Sequence, residues 1–265
     1  MTGEKPTREI EQILRDDTRN SMCWWWPRVV DCGVPMPETR IIEPGEGVLW
    51  RFFCAVADGE PPPDDSAWFP LLEAAAEELG YPCFLRTDLR SGKHGFDRTC
   101  FVPTAAELRR HIFPLLEETE DFMGSDCKAL VVRKYIEPAA AFTAFRGNLP
   151  IGRERRYFVR DGQVECHHPY WPLEAIEDTP FINGKFVRLA EAEGAEFDWR
   201  PLLADLSAEP PEEIELLTGY AETIGQAVGV GYWSVDFMQG ADGRWWFIDM
   251  AEGEASWHPE CEYKQ

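Results

Sequence analysis

The last apolar stretch of the chain is its most constraining feature, because it places a carboxylate in each arm of a β-hairpin. In "SVDFMQGADGRWWFIDM", two apolar runs flank a Gly-Ala-Asp-Gly turn and carry Asp236 and Asp249. A turn at residues 240–243 pairs Gln239 with Arg244 and sets the two carboxylates diagonally on one face, about 7–8 Å apart. A loop one residue longer or shorter would put them on opposite faces.

Two carboxylates this close repel each other, so the pair requires a metal ion or a basic partner. Oxygen-only ligands favour Mg²⁺ or Mn²⁺, particularly where a phosphate completes the coordination shell. Strand-end carboxylates in water or in salt bridges explain Asp236 and Asp249 equally well. The hairpin alone therefore leaves a metal site and ordinary ion pairing open.

Composition limits the classes of partner. The chain has 265 residues, 44% of them hydrophobic, which is enough for one large domain or two packed lobes. Its formal net charge of −22 argues against general nucleic-acid binding and against anionic membranes. The charged N-terminus has no apolar signal region, and no run approaches the roughly 20 apolar residues of a membrane span. Eight cysteines without CxxC or zinc spacing complete the expectation of a reduced, cytoplasmic protein.

The order of the apolar patterns predicts an α+β protein of helix-flanked antiparallel strands, in two lobes with a break near Pro138. The sequence "GVLWRFFCAV" is expected to form a strand, and the triple Trp at residues 24–26 to pack a lobe rather than to form a ligand shelf. Residues 139–152 are expected to form an irregular connection. Helices are expected at 6–18, at 67–79 with Ser66 as the cap, at 104–122 and at 210–228, and a surface loop with short helical pieces at 172–210.

A basic strand and loop, "FLRTDLRSGKHGF", is a candidate phosphate site. Its two glycines, Gly92 and Gly95, would let backbone N–H groups approach an anion, and Arg86 and Lys93 would neutralise its charge. An exposed hairpin is the competing interpretation of this segment.

The strand "VVRKYIEP" runs into the expected lobe junction. Such a strand offers backbone groups to an adenine edge, and Glu137 at its end is placed to hold ribose hydroxyls. A buried strand without ligand contacts explains the same pattern.

The segment "RERRYFVRDGQV" predicts a hairpin around Asp161-Gly162. Strand alternation sends Glu154 and Arg156 to one face and Arg155 to the other. An arginine held beside an acid can clamp a phosphoryl or carboxylate group. For Arg153 and Arg155, surface cross-strand ion pairing is the preferred interpretation.

These four segments, in this order, resemble the ATP-grasp superfamily, over about residues 21–260. The ending "FIDMAEGEASWHPE" is similar to a bacterial and phage-associated clade near the ribosomal-protein glutamate ligases and the cell-division-cycle ATP-grasp proteins. The resemblance implies two α+β lobes with antiparallel sheets that grip ATP between them. It assigns residues 1–65 to a helix and strand region packing on the lobes, 66–137 to the N-lobe and 138–265 to the C-lobe.

The resemblance also assigns residues to the nucleotide. It implies that Arg86 and Lys93 contact phosphates and that Arg156 faces the phosphate or the substrate, with Arg156 and Lys93 serving catalysis. The adenosine-binding positions that it implies are Val132, Lys134, Tyr135 and Glu137.

For the metal, Mg²⁺ or alternatively Mn²⁺, the resemblance implies Asp236 and Asp249 as ligands. Many members have asparagine two residues after the second acid, where this chain has Ala251. That departure leaves Glu252, or alternatively Glu254, to supply the missing contact.

Most relatives in this superfamily are ligases, so the resemblance implies an ATP- and Mg²⁺-dependent carboxylate–amine or carboxylate–thiol ligase working through an acylphosphate. Its substrates would be small-molecule or peptide carboxylates and amines. An ATP-binding assembly chaperone of the cell-division-cycle type, acting on a protein partner, is the first alternative. A phosphotransferase is the second.

Overall fold

The computed structural model describes residues 19–61, 67–118, 127–179, 181–186 and 197–259. The helix expected at 6–18 lies outside these ranges. Ser66, the expected cap of the helix at 67–79, lies outside them as well. The described helices are α1 (Met22–Val29), α2 (Val48–Ala57), α3 (Trp68–Leu79), α4 (Leu108–Glu118), α5 (Leu173–Glu177), α6 (Arg200–Ser207) and α7 (Pro211–Val228).

All strand pairs between the described elements are antiparallel, which confirms the predicted class of helices with antiparallel sheets. The strands are β1 (Thr39–Ile42), β2 (Cys83–Thr87), β3 (Phe101–Val102), β4 (Leu130–Lys134), β5 (Ala140–Ala144), β6 (Leu149–Gly152), β7 (Glu154–Arg160), β8 (Gln163–Pro169), β9 (Phe181–Ile182), β10 (Lys185–Phe186), β11 (Tyr232–Gln239) and β12 (Trp245–Glu252).

The first sheet has the strand order β1-β4-β2-β3, and helices α2, α3 and α4 cover one of its faces. Alternation along β4 sends Leu130 and Val132 into this helix-covered core. The residue between them, Val131, lies on the opposite face, in the core shared with the C-terminal sheet, and Arg133 follows it there. That opposite face is the one that positions the candidate site.

Helix α2 corrects the expectation of a strand over "GVLWRFFCAV". Val48, Leu49 and Phe52 are buried in the first core, a helical spacing, and Trp50 remains partly exposed. Periodicity cannot separate a strand from a buried helix in a short, continuously apolar run. The packing against α4, where Phe53 stacks on Phe113, decides in favour of the helix.

The C-terminal sheet has the order β12-β11-β7-β8, and α7 and α1 cover one face of it. Trp25 and Trp26 are buried in this core and Trp24 stacks on Trp233, so the triple Trp packs the lobe as expected. The Asp161-Gly162 turn joins β7 to β8 with both residues at positive φ, as predicted.

Arg155 corrects the expectation of a surface ion pair. Its side chain is 1% exposed and its Nε lies 2.6 Å from Glu213 Oε1 on α7. The guanidinium also donates to the carbonyl oxygens of Leu206 and Ala208. The pair is therefore a buried link between β7 and the helix layer, and Arg153 joins it from the half-buried edge at 3.1 Å.

The remaining sheet, β10-β9-β5-β6, corrects the irregular connection expected at 139–152, because β5 and β6 form a hairpin there. Its core includes Trp199 and Leu203 of the α6 region and Ile176 of α5, and therefore organises much of the segment expected to be a surface loop. None of the helices in the described ranges combines the length and apolarity that crossing a membrane demands.

Candidate functional site

A cleft of about 790 Å³, including the part open to solvent, lies where the three sheets meet. Six of the residues expected at a nucleotide site line it: Arg86, Lys93, Lys134, Tyr135, Asp236 and Asp249. Arg133, Glu154 and Tyr170 also line it and were not among the expected site residues.

The hairpin that carries the two aspartates corrects the expected register. Gln239 pairs with Trp245, so the connecting loop is one residue longer than expected, and this alone would put the acids on opposite faces. A β-bulge at Ile248 adds a second residue to the same strand and restores the face. Asp236 therefore lies directly opposite Asp249, closer than the expected diagonal.

Asp236 is held by Arg156 from the neighbouring strand. The Nε and NH2 groups of Arg156 donate to the two carboxylate oxygens of Asp236, each at 2.7 Å, and the aspartate is 5% exposed. Burial by itself would lower the pKa of Arg156, but the charge and hydrogen bonds of Asp236, with the charges of Tyr170 and Asp249, together outweigh it and raise the pKa. This is a bidentate, charge-assisted pair, the strongest geometry for an arginine and a carboxylate.

Asp249 is held by Arg86 from the first sheet. The Arg86 NH1 group lies 2.8 Å from Asp249 Oδ1, and the Arg86 side chain is almost fully buried. Each aspartate of the hairpin therefore has its own arginine, which satisfies the requirement for a basic partner. The Arg86–Asp249 pair also joins the first sheet to the C-terminal sheet across the cleft.

Lys93 forms the third ion pair of the cleft, with Nζ 3.3 Å from Glu154 Oε2 and 3.8 Å from the centre of the Tyr170 ring. Burial would lower the pKa of Lys93, but Glu154, Tyr170 and Asp236 together outweigh burial and raise it. Burial raises the pKa of Glu154, although Trp171 Nε1 donates to its other oxygen at 3.0 Å.

The two glycines beside Lys93 serve packing in addition to any ligand contact. A side chain at Gly92, which has φ +59°, would meet Leu115 at 2.6 Å. A side chain at Gly95 would collide with Glu118, and the Gly95 N–H donates to that carboxylate at 2.8 Å. The Gly95 amide is therefore committed to Glu118 rather than directed at the cleft.

Replacing Lys93 with methionine should destabilise the protein in a pH-dependent way. Methionine keeps the contact with the Tyr170 ring but leaves the buried Glu154 without its cation, at a cost of about 2–4 kcal/mol near pH 7. A carboxyl whose pKa is raised by folding binds more protons in the folded state, so stability falls as pH rises through and above its ordinary value. Losing Lys93 raises the Glu154 pKa further, so the loss of stability should be larger at pH 7 than at pH 5.

Urea unfolding of the Lys93→Met variant at both pH values measures this effect. The double variant Lys93→Met/Glu154→Gln, which cannot ionise at position 154, is the control and should lose the added pH dependence. An equal loss of stability at pH 5 and pH 7 in the single variant would contradict the assignment.

The residues expected to bind adenosine lie at different places relative to the cleft. Tyr135 lines the cleft against Phe101, and burial raises its pKa. Lys134 lines the rim, 3.5 Å from Glu38, with both side chains exposed. The side chain of Val132 is fully buried on the helix-covered face of β4, because alternation turns it away from the cleft, and the expected contact of the strand backbone with adenine stays a prediction.

Two expected acids lie outside the cleft. Glu137 is exposed, and its carbonyl accepts from the Ala241 N–H at 2.8 Å, which ties β4 to the hairpin loop. Glu252 lies apart from the two aspartates, with its carboxylate 2.7 Å from Arg19 NH1. Three positions separate Glu252 from Asp249, which turns it to the other face of β12.

The alternative acid, Glu254, is exposed and does not line the cleft either. Within the described ranges, no three or more Asp, Glu, His or Cys side chains are grouped so that they could hold a metal ion by themselves. The cleft therefore offers Asp236 and Asp249 as its carboxylate pair, without a third acid from the end of β12.

Arg133 is the functional candidate that the sequence reasoning missed. It is 4% exposed, lines the cleft, and donates through Nε to Thr39 Oγ1 at 3.1 Å and through NH1 to the carbonyl oxygen of Ile248. The signal was present in the sequence, because Arg133 follows the apolar run "ALVV" within the same strand. A buried arginine in a central strand requires a specific set of partners.

No protein-family model matches the sequence, and no curated protein matches it. Structurally, the chain is similar to C-terminally truncated Cdc123 from Schizosaccharomyces pombe, at 14% identity and a TM-score of 0.54, over 90% of this chain and 85% of that one.

Two further structures show weaker similarity. D-alanine–D-alanine ligase from Bacillus anthracis matches at 13% identity and a TM-score of 0.46, over 89% of this chain and 56% of the ligase. A RimK domain protein ATP-grasp from Sphaerobacter thermophilus matches at 16% identity and a TM-score of 0.41, over 89% of this chain and 60% of that one. The likeness to Cdc123 agrees with the resemblance found in the sequence, and the chain has the ATP-grasp fold.

Proposed function

We propose that the cleft binds ATP together with Mg²⁺ and that the protein is an ATP-dependent ligase. The observation that supports this most is the meeting of sequence-distant charges in one cleft: Arg86, Lys93, Asp236 and Asp249 all line it. Arg156 reaches the same place through its bidentate pair with Asp236.

The walls of the cleft suit a nucleotide. Phe84, Tyr135, Ile136 and Met238 supply apolar surface for a base, and the basic side chains supply charge for phosphates. Beyond Lys134, the last residue of β4, the chain passes from the first sheet toward β5, and this segment contributes its backbone groups. The combination of apolar and cationic lining residues matches the two chemical halves of a nucleoside triphosphate.

The carboxylates suit Mg²⁺ bound with a phosphate. Mg²⁺ keeps several waters and is commonly bound by one or two carboxylates plus substrate phosphates, so the pair Asp236 and Asp249 is sufficient without Glu252. When bound, Mg²⁺ would neutralise charge on the phosphates. Both aspartates are engaged by arginines in the structure, so metal binding would release Arg86 and Arg156 to face the phosphate oxygens.

The ligase reaction that we propose is activation of a carboxylate. Transfer of the γ-phosphoryl group of ATP to a carboxylate oxygen gives an acylphosphate and ADP; an amine or thiol then attacks the acyl carbon and releases phosphate. Arg156 and Lys93 would orient the reacting groups and offset their charge, which is the main contribution of a protein to phosphoryl transfer. No side-chain nucleophile is required for this chemistry.

An ATP-binding assembly function with a protein partner is the second candidate. The likeness to Cdc123, at a TM-score of 0.54 over 85% of that chain, favours it. In this case the cleft would bind ATP and Mg²⁺ through the same residues, and the nucleotide would support the assembly without ligation.

Measurements of nucleotide binding and of turnover test the proposal. Calorimetry should show ATP binding that Mg²⁺ strengthens, and a library of carboxylic acids with amines and thiols should give ADP and phosphate only when both an acid and a second substrate are present. ADP release with a phosphorylated acceptor and no free phosphate would indicate a phosphotransferase instead.

Tight ATP binding without turnover, together with one co-purifying protein, would favour the assembly function over the ligase. An absence of ATP binding in the presence of Mg²⁺ would overturn both.

A further inference from the structure

Arg133 has one donor group that the described protein does not use. Its Nε and NH1 groups are taken up by Thr39 and Ile248, but its NH2 nitrogen is buried and no described residue accepts a hydrogen bond from it. A buried guanidinium nitrogen without an acceptor costs free energy, and arginines are seldom buried unless fully paired. The side chain lines the cleft, so a molecule in the cleft can supply the missing acceptor.

The charge balance around Arg133 also points to a missing anion. Phe84 lies opposite Arg133 and Arg86 lies two residues along the same strand, so the two arginines share the cleft face of the first sheet. Burial, and secondly the charge of Arg86, lowers the pKa of Arg133 to about 9, with only Asp249 opposing them. Asp249 itself is already paired with Arg86, which leaves this end of the cleft short of negative charge.

We infer that Arg133 binds a phosphoryl oxyanion in the cleft through its NH2 group. The inference deepens the proposed function and rests on the cleft being the nucleotide site. The source of the oxyanion is either the phosphate chain of ATP or another phosphate-bearing molecule without a nucleoside. A fixed donor aimed at an anion stabilises it strongly in a buried setting, because the donor needs no reorganisation on binding.

The fixed position of its guanidinium distinguishes Arg133 from a flexible surface cation. Thr39 fixes the guanidinium from β1 and the bulged residue Ile248 fixes it from β12. The Cζ atom of Arg133 also lies over the Trp26 ring, 5.4 Å from the ring centre. The group is thus anchored from separate elements before any ligand arrives, and a shorter lysine could not make the same contacts.

The test compares phosphate-bearing and phosphate-free probes by calorimetry. The Arg133→Met variant should bind ATP and inorganic tripolyphosphate about 10- to 100-fold more weakly than the unmodified protein, as expected for the loss of a charged hydrogen bond. Adenosine, which lacks phosphate, should bind within about twofold of the unmodified protein. Arg40→Met is the matched control, because Arg40 lies on the neighbouring strand and pairs with the exposed Glu78; it should change none of these affinities.

The outcomes separate the inference from the proposed function. If Arg133→Met binds ATP and tripolyphosphate normally, or loses adenosine equally, the inference fails while the proposed function stands. If the unmodified protein binds tripolyphosphate but not ATP, the nucleotide proposal fails, and the variant's tripolyphosphate affinity alone decides the inference. Binding of neither probe overturns both. Should Arg133→Met fail to fold, Arg133→Lys serves, with a loss again confined to the phosphate-bearing probes.

Discussion

Replacing Asp249 with asparagine should make ATP binding insensitive to Mg²⁺. The substitution removes one of the two carboxylates that face each other across β11 and β12, and a neutral amide is a weak ligand for this cation. In the presence of Mg²⁺, we expect ATP affinity to fall about 100-fold, the effect of losing a few kcal/mol of binding free energy. Calorimetric titration with ATP, with Mg²⁺ and with a chelator, measures this.

In the presence of a chelator, the effect of Asp249→Asn on ATP affinity should be absent or reversed. Arg86 is paired with Asp249 in the structure, so the asparagine variant frees its guanidinium for phosphates. Without Mg²⁺ the variant should therefore bind ATP at least as well as the unmodified protein. Asp242→Asn is the control, because Asp242 is an exposed aspartate of the same hairpin and accepts from the Arg244 amide. Retention of Mg²⁺-strengthened binding in Asp249→Asn would contradict the metal assignment.

The largest effect on stability should come from Arg155→Met. Arg155 and Glu213 form a buried ion pair at 2.6 Å, and removing the arginine leaves Glu213 buried with only the half-buried Arg153 beside it. Truncation of one partner of a buried pair costs about 3–5 kcal/mol. Urea unfolding near pH 7 should show a loss of this size.

Two further variants give this prediction its controls. Arg160→Met lies on the same strand, but its pair with Glu165 is exposed on both sides, so the loss should be below about 1 kcal/mol. The double variant Arg155→Met/Glu213→Leu removes the stranded charge and should recover part of the loss. A double variant that is less stable than Arg155→Met would show that the pair itself, rather than the unpaired acid, carries the effect.

Much of the architecture could be predicted from the sequence, because the strongest sequence signals for helices, strands and turns are local. Turn residues such as Asp161-Gly162 and the proline and acids at the start of α7 predict elements from neighbouring positions alone, and the structure has both. The strand expected at α2 shows where local signals end. A short apolar run is compatible with either structure, and contacts with α4, more than 50 residues later, determine the helix.

The candidate site could be predicted as a set of residues but not as a set of partners. Asp236 and Asp249 were expected on one face and lie there, yet by a route invisible in the sequence, since a longer loop and a bulge offset each other. The neighbouring residues Val132 and Arg133 show the same limit of prediction from sequence. Without knowing which face of β4 the helices cover, alternation alone does not say which of the two side chains enters the cleft.

The bulge at Ile248 has an evolutionary consequence. With Gln239 paired to Trp245 and no bulge, Asp236 would lie opposite Ile248 and Asp249 would turn out of the cleft. Deletion of Ile248 would leave Asp249 opposite Asp236, and a shorter or longer loop between Gln239 and Trp245 would leave that pair unchanged. Homologues that keep both acids should therefore vary in loop length independently of the bulge, whereas a further residue between Trp245 and Asp249 should be rare, because the same bulge would have to absorb it.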